Sequence, residues 1–395
     1  MRKIFNHIYN VLFLISTLTI VSCVDHGDLE PDDNGSVSQI TVVCSDPIQS
    51  RSTTEYPGDV DPIIINSFTD DESLLYISQL GASENPNFTN LTAEEGSLCY
   101  VYKYYENEES NWNKEYNFKV SEETGNVINW RRVRQLGSVG NAFSFYSFFF
   151  PVKNKVTFEV QADQTDEDDF MMSDIMGAYH ATSALNSRLR FRLYHLMVYL
   201  KVTLYVPVYE SEANDGSEYH YSGYDEGSLL GAFLLDANTE FNVEWRANRS
   251  SDTDAPLTNA YGNKHNIQMY QHPDDDNIYT LENVKEYYPT YNGEDTDDVR
   301  AYNFSVLFPA QTFGNNFLCF VLKDHEGNNR YFYFSGNQVV GDSGNYNLTQ
   351  GTLQQLYLYL PRKTNETILI GAKILPWSNG VTDMTVTKDE TNDSN

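Results

Sequence analysis

Residues Leu189–Val208 read LRFRLYHLMVYLKVTLYVPV, and this stretch decides the fold class. From Leu196 onward every even position is apolar: Leu196, Val198, Leu200, Val202, Leu204, Val206 and Val208. The odd positions are mixed, with His195, Met197, Tyr199, Lys201, Thr203, Tyr205 and Pro207. A repeat of two is that of a β-strand, and it predicts one buried face and one partly wet face. Just upstream the phase is opposite, because Leu189, Phe191 and Leu193 alternate with Arg188, Arg190 and Arg192. The flip falls at Tyr194–His195, where one extra residue in a β-bulge would produce it. Two strands joined by a tight turn are the alternative, although no Gly, Pro, Asn or Asp marks a turn there. The expectation is one long, bulged strand central to a β-domain.

The chain of 395 residues exceeds one ordinary core, so two domains are expected. Its 29 tyrosines and 22 phenylalanines favour strands, and no long amphipathic helical run is present. The formal net charge is −30, and loss of a leader carrying Arg2 and Lys3 would take it to −32. Such a surface repels phosphate backbones and anionic headgroups, which excludes nucleic acid as a partner class. The four cysteines, Cys23, Cys44, Cys99 and Cys319, form no disulfide framework, and no pair has zinc-ligand spacing. Stability is therefore expected from packing.

Residues 1–22 read as a secretory signal: Arg2 and Lys3, an apolar run over Val11–Val21, then Ser22. The apolar run is too short for a membrane span of roughly 20 residues. Ile20-Val21-Ser22-Cys23 matches a bacterial lipobox, which makes Cys23 the expected lipidation site. Acylation there, with palmitate or a similar chain, anchors through burial of methylenes at about 0.8 kcal/mol each. Residues 23–36 follow as an acidic, flexible tether with Asp25, Asp28, Glu30, Asp32 and Asp33.

Beyond the tether, Ser38, Ile40, Val42 and Cys44 share one face of a short candidate strand that ends by Pro47, and a polar Arg51-Ser52-Thr53-Thr54 loop follows. Further strands are expected at Leu74–Leu80, Leu98–Tyr105, Trp112–Val120, Ala142–Pro151 and Val156–Val160. Phe170–Asn186 is the helix candidate. Gly231–Leu235 and Phe241–Arg246 read as two short strands joined by Asp236–Glu240, and Arg246–Asn266 reads as loop. Tyr302–Pro309, a hairpin of Phe317–Lys323 and Arg330–Phe334, Leu356–Leu360 and Ile368–Trp377 complete the set. Short strands and turns at this spacing argue for two β-sandwiches.

Catalytic motifs are missing from the sequence. There is no nucleophile elbow, phosphate loop, dinucleotide fingerprint or His-Glu-x-x-His. His180, His195, His220, His265, His272 and His325 are scattered, and His195 beside the phase flip reads as structural. Asp163–Asp169 is acidic but lacks the glycine of a calcium loop, so it reads as a solvated loop. Asp324, Glu326 and Asn328 alternate as oxygen ligands would, and a hairpin turn accounts for them equally. Neither a cofactor nor a metal is expected, and the chain is not read as an enzyme.

Several of these pieces together resemble the fimbrillin family, the lipoprotein-derived pilus subunits of Gram-negative anaerobes. They are the lipobox at Cys23, Phe191 with His195 and Leu196, the aromatic run Phe145–Pro151, and Ile374, Trp377 and Gly380 near the end. The resemblance implies an all-β fold of two transthyretin-like β-sandwich domains in tandem, with few short helices. It places residues 37–51 as a removable first strand and cleavage loop, residues 52–184 as the first sandwich and residues 185–395 as the second. It implies a structural, adhesive subunit of a surface fimbria, exported as a lipoprotein to the outer membrane and cleaved after an arginine, here Arg51. The vacated groove would then accept a strand from a neighbouring subunit, which restores the ladder by β-augmentation. The alternative processing is none, with residues 37–48 as a permanent first strand. Partners on this reading are other fimbrial subunits, the outer membrane through the lipid, and a host protein or glycan. The tail after Trp377, with Val381, Met384 and Val386, is a candidate donor strand. A surface glycan-binding lipoprotein with Trp112 or Trp245 as stacking platforms is the competing function.

Overall fold

The long run Leu189–Val208 is not one strand in the computed structural model; it is divided between two sheets. The model describes residues 41–45, 58–60, 74–80, 99–105, 115–120, 143–150, 158–182, 188–209, 223–244, 257–273, 277–280, 298–340, 345–360, 367–376 and 384–385. All of them lie in the unit Gln39–Asn395. The expected signal segment and tether, Cys23, Arg51, Trp112 and Trp245 lie outside the described residues. The described residues form an all-β fold with two short helices.

An eight-stranded sheet is built from β1 (Thr41–Ser45), β2 (Leu74–Leu80), β3 (Cys99–Tyr105), β4 (Glu115–Val120), β5 (Phe143–Phe150), β6 (Met176–Thr182), β7 (Arg188–Arg192) and β8 (Tyr194–His195). Its order is β7-β1-β4-β3-β2-β5-β6-β8. The remaining strands are β9 (Met197–Pro207), β10 (Leu229–Glu244), β11 (Leu257–Gln268), β12 (Tyr270–Gln271), β13 (Ile278–Thr280), β14 (Asp298–Pro309), β15 (Gln311–Phe313), β16 (Leu318–Lys323), β17 (Asn329–Phe334), β18 (Tyr346–Leu348), β19 (Thr352–Tyr359), β20 (Ile368–Pro376) and β21 (Met384–Thr385). They make a seven-stranded sheet, β12-β14-β9-β19-β20-β21 with β13 also on β14, a four-stranded sheet, β11-β10-β16-β17, and a β15-β18 pair.

The chain leaves the first sheet between His195 and Met197. β8 pairs with β6, whereas β9 pairs antiparallel with β14 and parallel with β19. Leu193 and Leu196, the two residues outside the ladders, are fully buried. A change of sheet resets the alternation just as a bulge does, which explains the phase flip.

All eleven residues of β9 are buried, so the expected wet face does not exist. The even side chains Val198, Leu200, Val202 and Leu204 enter a core with Phe304, Val306, Leu356, Leu358, Leu234, Phe320 and Phe332. Each such burial contributes about 1.5–3 kcal/mol. The odd positions remain dry because each polar tip has a partner. Tyr199 OH lies 3.2 Å from Ser305 Oγ, and Thr203 donates to Asn303 Oδ1 at 2.8 Å. Lys201 pairs with Asp59. Buried polar groups matched in this way avoid the desolvation penalty that would otherwise open the face.

Four further expectations are corrected. The helix is α1 (Glu167–Met172), not Phe170–Asn186, and the chain turns at Ser173 into β6. Asp166 caps the start by accepting from the Asp168 N–H, and the Ser173 hydroxyl donates to Asp169 O while accepting from the Gln161 N–H. The two strands expected around Asp236–Glu240 are one strand, β10. Asp236 takes a positive φ of 52°, and one register shift between Leu234 and Ala237 and a second between Asn238 and Glu240 absorb the break. Part of the loop expected over Arg246–Asn266 is the edge strand β11, whose residues are mostly exposed, so its polarity marks a solvent face. Val156–Val160, expected as a strand, shows only a bridge from Glu159 to Glu240 among its described residues.

Candidate strand-exchange site and its anchoring segment

Strand β1 occupies an interior position in the eight-stranded sheet. Val42, Val43, Cys44 and Ser45 pair antiparallel with Phe118, Asn117, Tyr116 and Glu115 of β4. On the other side Thr41–Ser45 runs parallel to Arg188–Arg192 of β7, residue for residue. Among the described residues β7 has no other ladder partner, so taking β1 away would unpair β4 on one side and all of β7. Unpaired N–H and C=O groups on two facing edges form a template for an extended strand. Arg51 lies six residues after Ser45, and it is the sole lysine or arginine between Lys3 and Lys103.

Seven residues beyond Arg51, Gly58, Asp59 and Val60 sit on the odd-residue face of the seven-stranded sheet. Asn303 of β14 donates to Gly58 O at 2.7 Å. Asp59 Oδ1 pairs with Lys201 Nζ, and its Oδ2 accepts from Tyr357 OH of β19 at 2.9 Å. Lys201 also donates to Val60 O. The Asp59 and Lys201 side chains are each 1% exposed. Desolvating two charges costs several kcal/mol per ion, so this pair is not a simple source of stability. It makes the fit exclusive, because removing either partner strands a charge at a cost of about 3–5 kcal/mol. Gly58 has φ +70°, and a Cβ there would lie 2.4 Å from Ala301 Cβ and 2.8 Å from the Tyr279 ring. Only glycine fits.

α1 covers the same face further along. Phe170 is fully buried and packs edge-on against Tyr199, with ring centroids 5.5 Å apart. Gln164 in the acidic loop is fully buried too, and its side chain mimics a strand partner for Leu307. Its Nε2 donates to Leu307 O at 2.8 Å, and its Oε1 accepts from Leu307 N at 2.9 Å. Asp163 accepts from Thr165, and Asp166 caps the helix, which gives these carboxylates structural work. His272 Nε2 lies 2.7 Å from Ser305 Oγ. Burial, aided by the nearby Lys201 charge, pushes its pKa down to about 4.

The histidine reading at the sheet change has a partner that spacing alone could not supply. His195 Nδ1 lies 2.8 Å from Asp174 Oδ1, and both side chains are closed to water. In the β16–β17 turn Asp324 accepts from the Asn328 N–H at 2.7 Å and from Arg330 Nε at 2.9 Å. Gly327 at φ +90° completes the turn, so these oxygens serve a hairpin. Among the described residues no group of three His, Cys, Asp or Glu side chains could hold a metal ion. Met384–Thr385 of the candidate donor tail pairs back on β20 of its own chain. Reasoning from sequence missed Asp59, Asn303, Gln164 and Asp174; the one available signal was Lys201, the lone charge in an apolar strand.

No protein-family model matches the chain, and no curated protein matches it in sequence. Among solved structures, a proposed cell adhesion protein of Bacteroides uniformis is similar at TM-score 0.44 and 11% identity, over 86% of this chain and 99% of that one. The tip fimbrial protein Mfa3 of Porphyromonas gingivalis, truncated at its C-terminus, gives TM-score 0.34 and 8% identity over 86% and 100%. A fimbrial assembly protein of Parabacteroides distasonis gives TM-score 0.32 and 10% identity over 85% and 94%.

Proposed function

We propose that the protein is a structural and adhesive subunit of a cell-surface fimbria, assembled by β-strand exchange. On this reading it is exported as a lipoprotein acylated at Cys23, held at the outer membrane, and cleaved after Arg51. Two transthyretin-like sandwiches in tandem provide the body. The observation that carries the reading is the place of β1, laddered on both sides by β4 and β7 and followed by an isolated arginine. A five-residue strand in that position leaves a two-sided slot when it departs, and an incoming strand regains the hydrogen bonds on both edges. The chemistry is assembly rather than catalysis, with other fimbrial subunits as partners and a host protein or glycan as the adhesive target.

N-terminal sequencing of protein extracted from the cell surface tests the processing step. A mature chain beginning at Ser52 is expected. A start at Cys23 alone would remove cleavage from the reading. Unheated extracts should run as a ladder in detergent gels, because strand exchange survives where surface contacts do not; a single monomer band would sink assembly by exchange.

A further inference from the structure

Gly58–Val60 belongs to no strand, yet it is among the most tightly specified segments on the seven-stranded sheet. Three consecutive residues are held by β9, β14 and β19 together: Gly58 O by Asn303, the Asp59 carboxylate by Lys201 and Tyr357, and Val60 O by Lys201. The missing Cβ of Gly58 is filled by Ala301 and Tyr279. The Asp59 and Lys201 partners are 142 residues apart in sequence. β9, β14 and β19 already have their strand partners, so this segment adds no strand to the sheet.

We propose that Gly58–Val60 is a docking clip that keeps the chain after Arg51 seated on the seven-stranded sheet once the strand before it has gone. The clip sets the amino-terminal limit of the processed body and stops the new terminus at Ser52 from peeling off the sheet or refilling the slot that β1 leaves. Its use in assembly rests on the strand-exchange reading, but the clip itself is a property of the uncut chain and is tested separately. A carboxylate buried against an amine is a selective lock, since any other segment of this acidic chain must bring both the charge and a Cβ-free residue beside it.

Limited proteolysis of the full secreted chain with thermolysin, which cuts before apolar residues, reads the Asp59–Val60 bond directly. In the wild-type protein that bond stays intact while exposed bonds are cut. Gly58→Ala forces the clip off the sheet without changing any strand residue, and cleavage at Asp59–Val60 should accelerate at least about tenfold, as expected when a protected bond opens locally. Tyr357→Phe removes one hydroxyl from Asp59 and should give a smaller acceleration at the same bond, which decides the matter should Gly58→Ala fail to fold. Equal cleavage of that bond in the wild type and both variants would overturn the clip. A parallel digestion with an Arg-specific protease separates the two readings: failure to cut after Arg51 counts against processing, and leaves the thermolysin result to stand or fall on its own.

Discussion

Asp174 and His195 meet where the chain passes from one sheet to the next, with Nδ1 at 2.8 Å and 2.9 Å from the two carboxylate oxygens. Asp174 follows the α1 turn and precedes β6, while His195 ends β8, which pairs with β6 through Met176 and Gly177. The Leu196 N–H donates to Ile175 O at 3.0 Å beside them. One side-chain pair and one backbone bond thus hold the crossover. Asp174→Asn keeps the shape and removes the charge on which the contact is built. It should lower unfolding stability by about 1.5–3 kcal/mol, the range for hydrogen bonds to charged groups. Urea denaturation with an unchanged slope and a lower midpoint would show it; an unchanged midpoint would mean the contact carries no net stability.

The Lys201–Asp59 pair makes a different prediction, since both partners are buried and the cost lies in separating them. Lys201→Met or Asp59→Ala alone should each cost about 3–5 kcal/mol, because a charge is left in the dry face of the sheet. The double variant should be less destabilised than the sum of the two, with a coupling of about 1–3 kcal/mol in a double-mutant cycle. Additive effects would show that the two charges do not sense each other.

Parts of this arrangement were legible in the sequence and parts were not. The even positions of Leu196–Val208 announced a strand, because seven apolar residues at a spacing of two suit no helix. What they could not announce was burial of the odd face, since that depends on Asp59, Asn303 and Ser305, which lie far off in the chain. The reversal of phase at Tyr194–His195 was equally consistent with a bulge and with a change of sheet. β11 was unreadable because Asn259, Lys264 and His265 face water on an edge strand, and polarity alone resembles a loop. Asp236 hid the continuity of β10, since an aspartate next to short apolar runs signals a turn, and here it takes a left-handed φ inside a strand. Of the candidate site, Arg51 and the β1 alternation were visible, whereas the two-sided pairing of β1 needed the register.

His272 predicts a pH dependence whose sign follows from its burial. Its folded-state pKa is lowered from 6.5 to about 4, first by burial and then by the Lys201 charge. Between these values the unfolded chain binds the proton that the folded chain refuses, so stability is present above pH 6.5 and is lost as pH falls toward 4. The loss is on the order of 3 kcal/mol for a shift of this size. Melting temperatures measured from pH 7 down to 4 should fall, and His272→Gln, which retains a hydrogen-bonding group toward Ser305, should flatten part of that slope. An identical slope in the variant would assign the acid sensitivity to carboxylates instead.

The position of β1 predicts a substitution whose effect depends on the processing state. Val43 pairs with Asn117 on one side and Arg190 on the other, so no edge of its backbone is free for a residue that lacks an N–H. Val43→Pro removes one ladder donor and forces the ring against a neighbouring strand, which an interior strand does not accommodate without losing stability. The uncut protein should therefore lose that stability, measured as a lower denaturation midpoint. A chain beginning at Ser52 has no residue 43, and the substitution is then without consequence. If surface-extracted Val43→Pro protein assembles into detergent-resistant ladders as the wild type does, β1 acts before processing and its slot is filled by another strand afterwards. If assembly fails in proportion to the lost stability of the mature protein, β1 remains in place, and the sheet is completed by its own chain.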